Sequence, residues 1–341
     1  MLAVRKLVPG ASSLSLEDID RPEPSPGQAR VAVFGTGMCG TDLHIMDGEF
    51  LTRPPVTLGH EVAGVVDAVG SERDQRWIGV RVALETAVTC GTCEWCRTGK
   101  PMLCPERLSI GSGIDGGFAS HVVVPARNLH ALPEHVAERA VVVSEPLACV
   151  CNALLDPAAV NVADGVVVIG PGAIGIIAAQ VAKAGGGRVT LVGTSTDERR
   201  MAVASQIGIV CRSIDERGER TALEDEARAG GVHLVVECSG TPSAVEWGMS
   251  LVRRGGRYVQ MGLSGPASVP IADLVAREVS VRMGFGSSAA SWWRAMRLLE
   301  AGLVDLAPLV THVLPLREWA TAFDLMRHRE GLKIVLDPRL N

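Results

Sequence analysis

An α/β protein in two parts, one β-rich and one a doubly wound parallel sheet, is the fold class this sequence predicts. Three observations carry that reading. The chain has 341 residues, longer than one typical domain. From Asp164 onward, β-branched strands alternate with segments of helical length, starting with a strand, a glycine-rich turn and a helix. Ahead of Asp164, short apolar runs broken by Gly and Pro read mainly as strands and turns, and from about Ser287 the alternation stops.

Composition narrows the class. With 47% hydrophobic residues and 38 glycines, the chain can fill a sizeable core and still turn tightly many times. Its 33 basic and 38 acidic residues leave −5 overall with no long run of one sign, so neither nucleic acid nor an anionic membrane is an expected partner. The stretch MLAVRKLVPG is too short for a signal peptide, and no segment approaches the ~20 apolar residues of a membrane span, so a cytoplasmic location is expected. Nine cysteines, an odd number with four gathered between Cys90 and Cys104, suit metal binding in a reducing compartment better than a disulfide framework.

In chain order, LSLEDI and ARVAVF read as strands either side of the Pro-rich RPEPSPGQ. GTGMCGTDLHIMDG follows as a tight turn into a short helix, bringing Cys39, Thr41 and His44 close together. GHEVAGVVDAVG places His60 beside Glu61 at the head of a strand. Gly59 permits the backbone bend that lets both face one metal, and a Cys39 thiolate can reach the same ion. The bland alternatives are an exposed His-Glu pair and an inert buried thiol.

The strand from Val80 to Thr86 leads into TCGTCEWCRTGKPMLC, where Cys90, Cys93, Cys96 and Cys104 have C-x2-C-x2-C-x7-C spacing. Four thiolates so spaced close tetrahedrally on one zinc and leave no position for a substrate. An iron–sulfur cluster uses the same ligands but finds no support elsewhere in the chain. HVVVP reads as a strand, and AERAVVVSEPLACVCNALL as a helix interrupted near Pro146. Glu145, in that apolar segment, is either a buried carboxylate needing a partner or a metal neighbour, and the second is favoured.

GVVVIGPGAIGIIAAQVAKAGG then carries Gly170, Gly172 and Gly175 as G-x-G-x-x-G between a strand and a helix. A dinucleotide is therefore the expected cofactor. RVTLVG, IVCRSI, VHLVVECSG, GRYVQMG and EVSVRMGF complete six strands. The second ends at Gly193 without the usual ribose-binding acid and is followed by Thr194, Ser195, Arg199 and Arg200, which favours NADP over NAD; Asp197 or Glu198 taking over the ribose contact is the opposing reading. SSAASWWRAMRLLEAG and REWATAFDLMRHREG read as amphipathic helices and LKIVLDP as a closing strand. Trp292 and Trp293 read as core or packing residues, and the remaining histidines as structural or exposed.

GMCGTDLH, GHEVAGVVDAVG, the four-cysteine lobe, GGFASHVVVP, SEPLA and GPGAIG occur in the order seen in zinc-dependent medium-chain dehydrogenases, and the whole chain resembles that family. Within it, the glutamate after the metal histidine and the Glu-Pro-Leu segment are similar to the polyol (sorbitol-type) and threonine dehydrogenase branches. The resemblance implies a GroES-like catalytic domain over 1–148 and 288–341, with a zinc lobe at about 88–106, and a Rossmann domain over 149–287. It implies two zinc ions per chain: one catalytic, on Cys39, His60 and Glu61, with Glu145 on the metal or its water, and one structural, on Cys90, Cys93, Cys96 and Cys104. Thr41 and His44 match a proton relay. Cofactor contacts are expected at Gly170, Gly172, Ala173, Ile174, Gly175, Gly193, Thr194, Ser195, Arg199, Arg200, Cys238, Gly262 and Leu263.

The implied activity is hydride transfer between a secondary alcohol (polyol, cyclitol or sugar-like) and NAD(P), by a homotetramer or dimer. L-threonine 3-dehydrogenase is the alternative and a non-catalytic nucleotide-binding module the third reading. Three departures bear on substrate. Ile45 stands where sorbitol-type enzymes have tyrosine, Ser287 where they have a substrate arginine, and Ala87 about where threonine dehydrogenases have a further histidine.

Overall fold

The computed structural model describes residues 1–11 and 14–340. It divides into two compact units, Met1–Glu145 with Ser287–Glu300 and the stretch from Leu306, and Pro146–Gly286 with Ala301–Asp305. The family resemblance implies a first boundary after residue 148; the compact unit ends at Glu145.

The first unit opens with β1 (Leu2–Lys6) and β2 (Ser15–Asp18), then β3 (Gln28–Gly37), α1 (Gly40–Met46), β4 (Val56–Thr57), β5 (Glu61–Val69) and β6 (Arg81–Leu84). The lobe follows as β7 (Ala87–Val88), α2 (Glu94–Arg97) and β8 (Leu108–Ser109), and then β9 (His121–Pro125) and β10 (Leu129–Ala131). β3 is the central strand. It pairs antiparallel with β5 and β9, and its inward valines join Val62, Val66, Val82, Val122 and Val124 in one apolar layer. Each such buried aliphatic side chain contributes roughly 1.5–3 kcal/mol, so this layer is the frame on which the loops are hung.

The expected interrupted helix is two helices, α3 (Glu138–Val141) and α4 (Ser144–Leu155). The break lies ahead of Pro146, which occupies the first turn of α4, where a missing N–H costs nothing.

In the second unit, β11 (Gly165–Ile169), α5 (Ala173–Ala184), β12 (Arg188–Gly193), α6 (Glu198–Gln206), β13 (Val210–Ser213), α7 (Glu219–Arg228), β14 (Leu234–Glu237), α8 (Pro242–Leu251), β15 (Arg257–Gln260), α9 (Ile271–Ala276) and β16 (Ser280–Met283) alternate. The strands form one parallel sheet, β13-β12-β11-β14-β15-β16, with the order reversing at β11. Ligands of such sheets bind outside the carboxyl ends of the strands at that reversal.

The chain then returns to the first unit as α10 (Ala289–Glu300), β17 (Val310–Pro315), α11 (Trp319–Arg327) and β18 (Lys333–Asp337). β18 pairs antiparallel with the end of β3, Val335 opposite Gly37. Trp292 is fully buried and stacks on His130 with ring centroids 4.5 Å apart, whereas Trp293 is exposed rather than packed. Among the described residues no helix is long and apolar enough to cross a membrane.

Candidate metal and catalytic centre

Three backbone features bring sulfur, nitrogen and oxygen to one place. Cys39 caps the start of α1, its N–H held by Asp42 Oδ2 at 2.9 Å. Gly59 has φ +89°, and a Cβ there would meet the Phe118 ring at 2.6 Å, so only glycine makes the bend that aims His60 inward. Glu61 lies opposite Gly37 in the β3–β5 register, where a Cβ would sit 2.3 Å from Glu61 Oε2. The ligating atoms of Cys39, His60 and Glu61 all lie within 4.8 Å of one another. Glu61 Oε2 is buried with no hydrogen-bond partner among the described residues. An orphaned buried acceptor is costly, and a mixed S, N, O donor set is one that zinc satisfies.

Surrounding charges tune these groups. Asp42 is fully buried, 3.7 Å from His60 Nδ1, and burial raises its pKa. Burial alone would depress His60, but Cys39, Asp42 and Glu145 carry it well above the usual imidazole range. Burial likewise raises Glu61, opposed by Lys333. The Lys333 ammonium, itself buried, donates to Glu61 Oε1 and to the Met38 carbonyl, the latter at 3.0 Å. Cys39, Glu61 and, from outside the cluster, Glu145 gather negative charge here, and the Lys333 ammonium offsets part of it.

Other expected members stand differently. Glu145 lies outside the three-residue cluster, with Thr86 Oγ1 donating to its Oε1 at 3.2 Å, while its charge is still felt by His60 and Glu61. The Cys39 thiol donates to Thr41 Oγ1 at 3.6 Å, and His44 Nδ1 lies 2.7 Å from Glu49 Oε2 near the surface. Among the described residues no hydrogen bond joins Thr41 to His44. The expected relay is therefore not a direct contact.

Cys90, Cys93, Cys96 and Cys104 form a second cluster by the same 4.8 Å measure. Cys93 N–H donates to Cys90 Sγ at 3.4 Å, and amides from Thr92 and Cys93 lower the Cys90 pKa to about 6, which favours the ligating thiolate.

The three loop glycines have three separate causes. Gly170 has φ +98° and a Cβ there would meet Ser239 N at 2.8 Å; Gly175 would meet the Gly170 carbonyl at 1.9 Å. Gly172, the N-cap of α5, has nothing within 4 Å of where its Cβ would be, leaving the backbone open to close approach ahead of Ala173 and Ile174. Cys238 follows β14, and Gly262 and Leu263 follow β15, at the same end of the sheet. Glu237 binds these turns together, accepting from Ser239 N at 2.7 Å, Gly240 N at 3.1 Å and Gln260 Nε2 at 2.6 Å. Beyond Gly193, Thr194 and Ser195 are tied to Asp197 and Asp215; Arg199 is exposed, and Arg200 Nη1 lies 3.8 Å from Asp197 Oδ1.

Residues 25–134 match the alcohol dehydrogenase GroES-like domain and residues 173–301 the zinc-binding dehydrogenase domain. The chain is 36% identical to the sorbitol dehydrogenase of Halalkalibacterium halodurans, with 99% of each covered. It belongs to the zinc-binding dehydrogenases. Within this family it is also 32% identical to the L-threonine 3-dehydrogenase of Bacillus subtilis, with 96% of each covered. Its fold matches that of galactitol-1-phosphate dehydrogenase from Escherichia coli with TM-score 0.88 and 28% identity, over 99% of this chain and 100% of that one.

Sequence reasoning missed Asp42, Thr86, Lys333, Glu49 and Asp215. Only Asp42 left a signal, lying three residues after Cys39 at capping-box spacing. All three departure positions prove to be interior. Ile45 is wholly buried, Ala87 is buried at the head of β7, and Ser287 Oγ accepts the Trp292 indole N–H at 3.1 Å.

Proposed function

We propose that this zinc-binding dehydrogenase oxidises a secondary hydroxyl of a polyol, cyclitol or sugar-like molecule to the ketone, with NAD(P) taking the hydride. The observation that carries the reading is the convergence of Cys39 Sγ, a His60 nitrogen and a Glu61 oxygen beside an otherwise unpartnered carboxylate oxygen. In it, Cys39, His60 and Glu61 hold the ion, and Cys90, Cys93, Cys96 and Cys104 hold a second, structural one. Zinc bound at the first position supplies Lewis acidity that eases loss of the alcohol proton. Asp42 sets a negative charge 3.7 Å from His60 Nδ1, and Thr86 donates to Glu145, whose charge acts on His60 and Glu61 from outside the three-donor set. Thr41 takes the hydroxyl proton and His44 with Glu49 passes it to solvent, a bridging group completing the gap between Thr41 and His44. The glycine turn and α5 receive the pyrophosphate, and the nicotinamide chemistry is the cofactor's own.

Self-association belongs to the same proposal. Among the described residues β16 is an edge strand with one side unpaired, and Val275, Val281, Met283 and Phe285 around it are exposed. An apolar edge of this kind is satisfied by a second copy related by a two-fold axis.

A panel of polyols, cyclitols, sugars and L-threonine, assayed with both cofactors by nicotinamide absorbance alongside zinc analysis, tests the reading. Expected are about two zincs per chain and polyol oxidation lost on chelation. Turnover of L-threonine alone would overturn the substrate class. A single zinc with no turnover would leave a nucleotide-binding module.

A further inference from the structure

The end of β12 is where the adenosine ribose of a dinucleotide rests, and an acidic residue there accepts its hydroxyls. This strand ends in Gly193-Thr194-Ser195 instead. Read along the chain, that leaves the position open to a 2′-phosphate. In space it is not open. β13 runs parallel to β12, Ser213 beside Gly193, and two residues past its end Asp215 reaches back across the sheet. Asp215 Oδ2 accepts from both Ser195 N and Ser195 Oγ at 2.8 Å, and Oδ1 has no protein donor among the described residues.

We propose that Asp215 is the residue that selects NAD over NADP, supplying from the neighbouring strand the ribose-hydroxyl acceptor that β12 lacks. The proposal rests on the dinucleotide reading above. A 2′-phosphate brings nearly two negative charges and needs N–H and O–H donors. The donors at the head of the turn, the Ser195 amide and hydroxyl, are both spent on a carboxylate, and the Ser195 contacts hold Asp215 below the usual carboxylate range, so it is charged at neutral pH. Thr194 N and Oγ1 are spent likewise, on Asp197 Oδ2 at 3.1 and 2.9 Å. A ribose diol, by contrast, donates to such an oxygen. The opposing cations are Arg199, exposed, and Arg200, whose guanidinium is shared with Asp197.

Direct binding of NADH and NADPH to the zinc-loaded protein, followed by tryptophan fluorescence, separates the possibilities without a substrate. The wild type is expected to bind NADH at least tenfold more tightly. Asp215→Asn should weaken NADH and strengthen NADPH, moving the ratio of dissociation constants by about tenfold or more, the scale of one charge-assisted hydrogen bond. Asp197→Asn, which frees a turn cap, should lower Tm and leave the ratio within twofold. The proposal is overturned if the wild type prefers NADPH. It is equally overturned if Asp215→Asn lowers Tm but leaves the ratio unmoved, as a purely structural cap would. Failure of both dinucleotides to bind would instead sink the cofactor reading, and the proposal with it.

Discussion

The two cysteine-bearing clusters of the first unit are built on opposite plans. In the lobe all four donors are sulfur, come from one short loop, and are oriented by their own neighbours, as when Cys93 N–H donates to Cys90. In the other cluster one sulfur, one imidazole and one carboxylate come from the cap of α1, a glycine bend and the head of β5. Asp42 from α1 itself, and Thr86, Glu145 and Lys333 from further segments, then surround them. Four thiolates close a coordination shell, whereas three mixed donors leave a position for something that reacts. The lobe is thus local and self-contained, and the open site exists only while the whole sheet is assembled.

The sharpest test of that contrast removes one ligand from each cluster. His60→Ala should reduce turnover by about 10³-fold or more, since Lewis-acid stabilisation is worth several kcal/mol, with zinc falling to about one per chain and the lobe retained. Cys104→Ser should also cost one zinc but leave measurable turnover in the protein that stays folded. Equal losses of turnover from the two variants, read by zinc analysis and steady-state kinetics, would erase the distinction.

The next effect falls on stability. Lys333→Met strands Glu61 as a buried carboxylate close to Glu145, and removing one partner of a buried pair costs about 3–5 kcal/mol. Chemical denaturation should show that loss, and Lys333→Arg should recover part of it. No equivalent single change is expected in the lobe, whose cysteines are mostly part-exposed. A Lys333→Met protein as stable as the wild type would mean that Glu61 is neutral or solvated when folded.

Why one cluster was fully legible in the chain and the other only half follows from the same contrast. Spacing alone specifies the lobe, because its geometry is set within one loop. Gly170, Gly172 and Gly175 were legible for the same reason, each answering to a turn or a close approach inside a single strand-turn-helix unit. Cys39, His60 and Glu61 stood out by donor chemistry. Lys333 did not, because a lysine in LKIVLDP reads as the polar face of a strand, and only the β18–β3–β5 register carries it to Glu61. Asp215 was hidden likewise, since its partner Ser195 lies across a crossover. Trp293 misled in the other direction, an aromatic beside a buried one that nonetheless faces outward.

The smallest expected effect concerns the open site's route to solvent, a feature a closed cluster has no use for. His44 and Glu49 are both about half-exposed, and a pair so placed contributes only about 0–1 kcal/mol to stability. Its value is in orientation. With Glu49 Oε2 accepting from Nδ1–H at 2.7 Å, Nε2 is left as the proton acceptor, whereas a freely turning ring presents either nitrogen. Glu49→Gln should leave zinc content and Tm unchanged and lower kcat by only about two- to fivefold, while His44→Ala lowers it by about 10²-fold, the usual scale of a lost acid–base group. Added imidazole should restore much of the second loss and little of the first, because in Glu49→Gln the ring is still in place. If His44→Ala turned over as fast as the wild type, protons would be leaving by another path and the His44–Glu49 pair would be surface decoration.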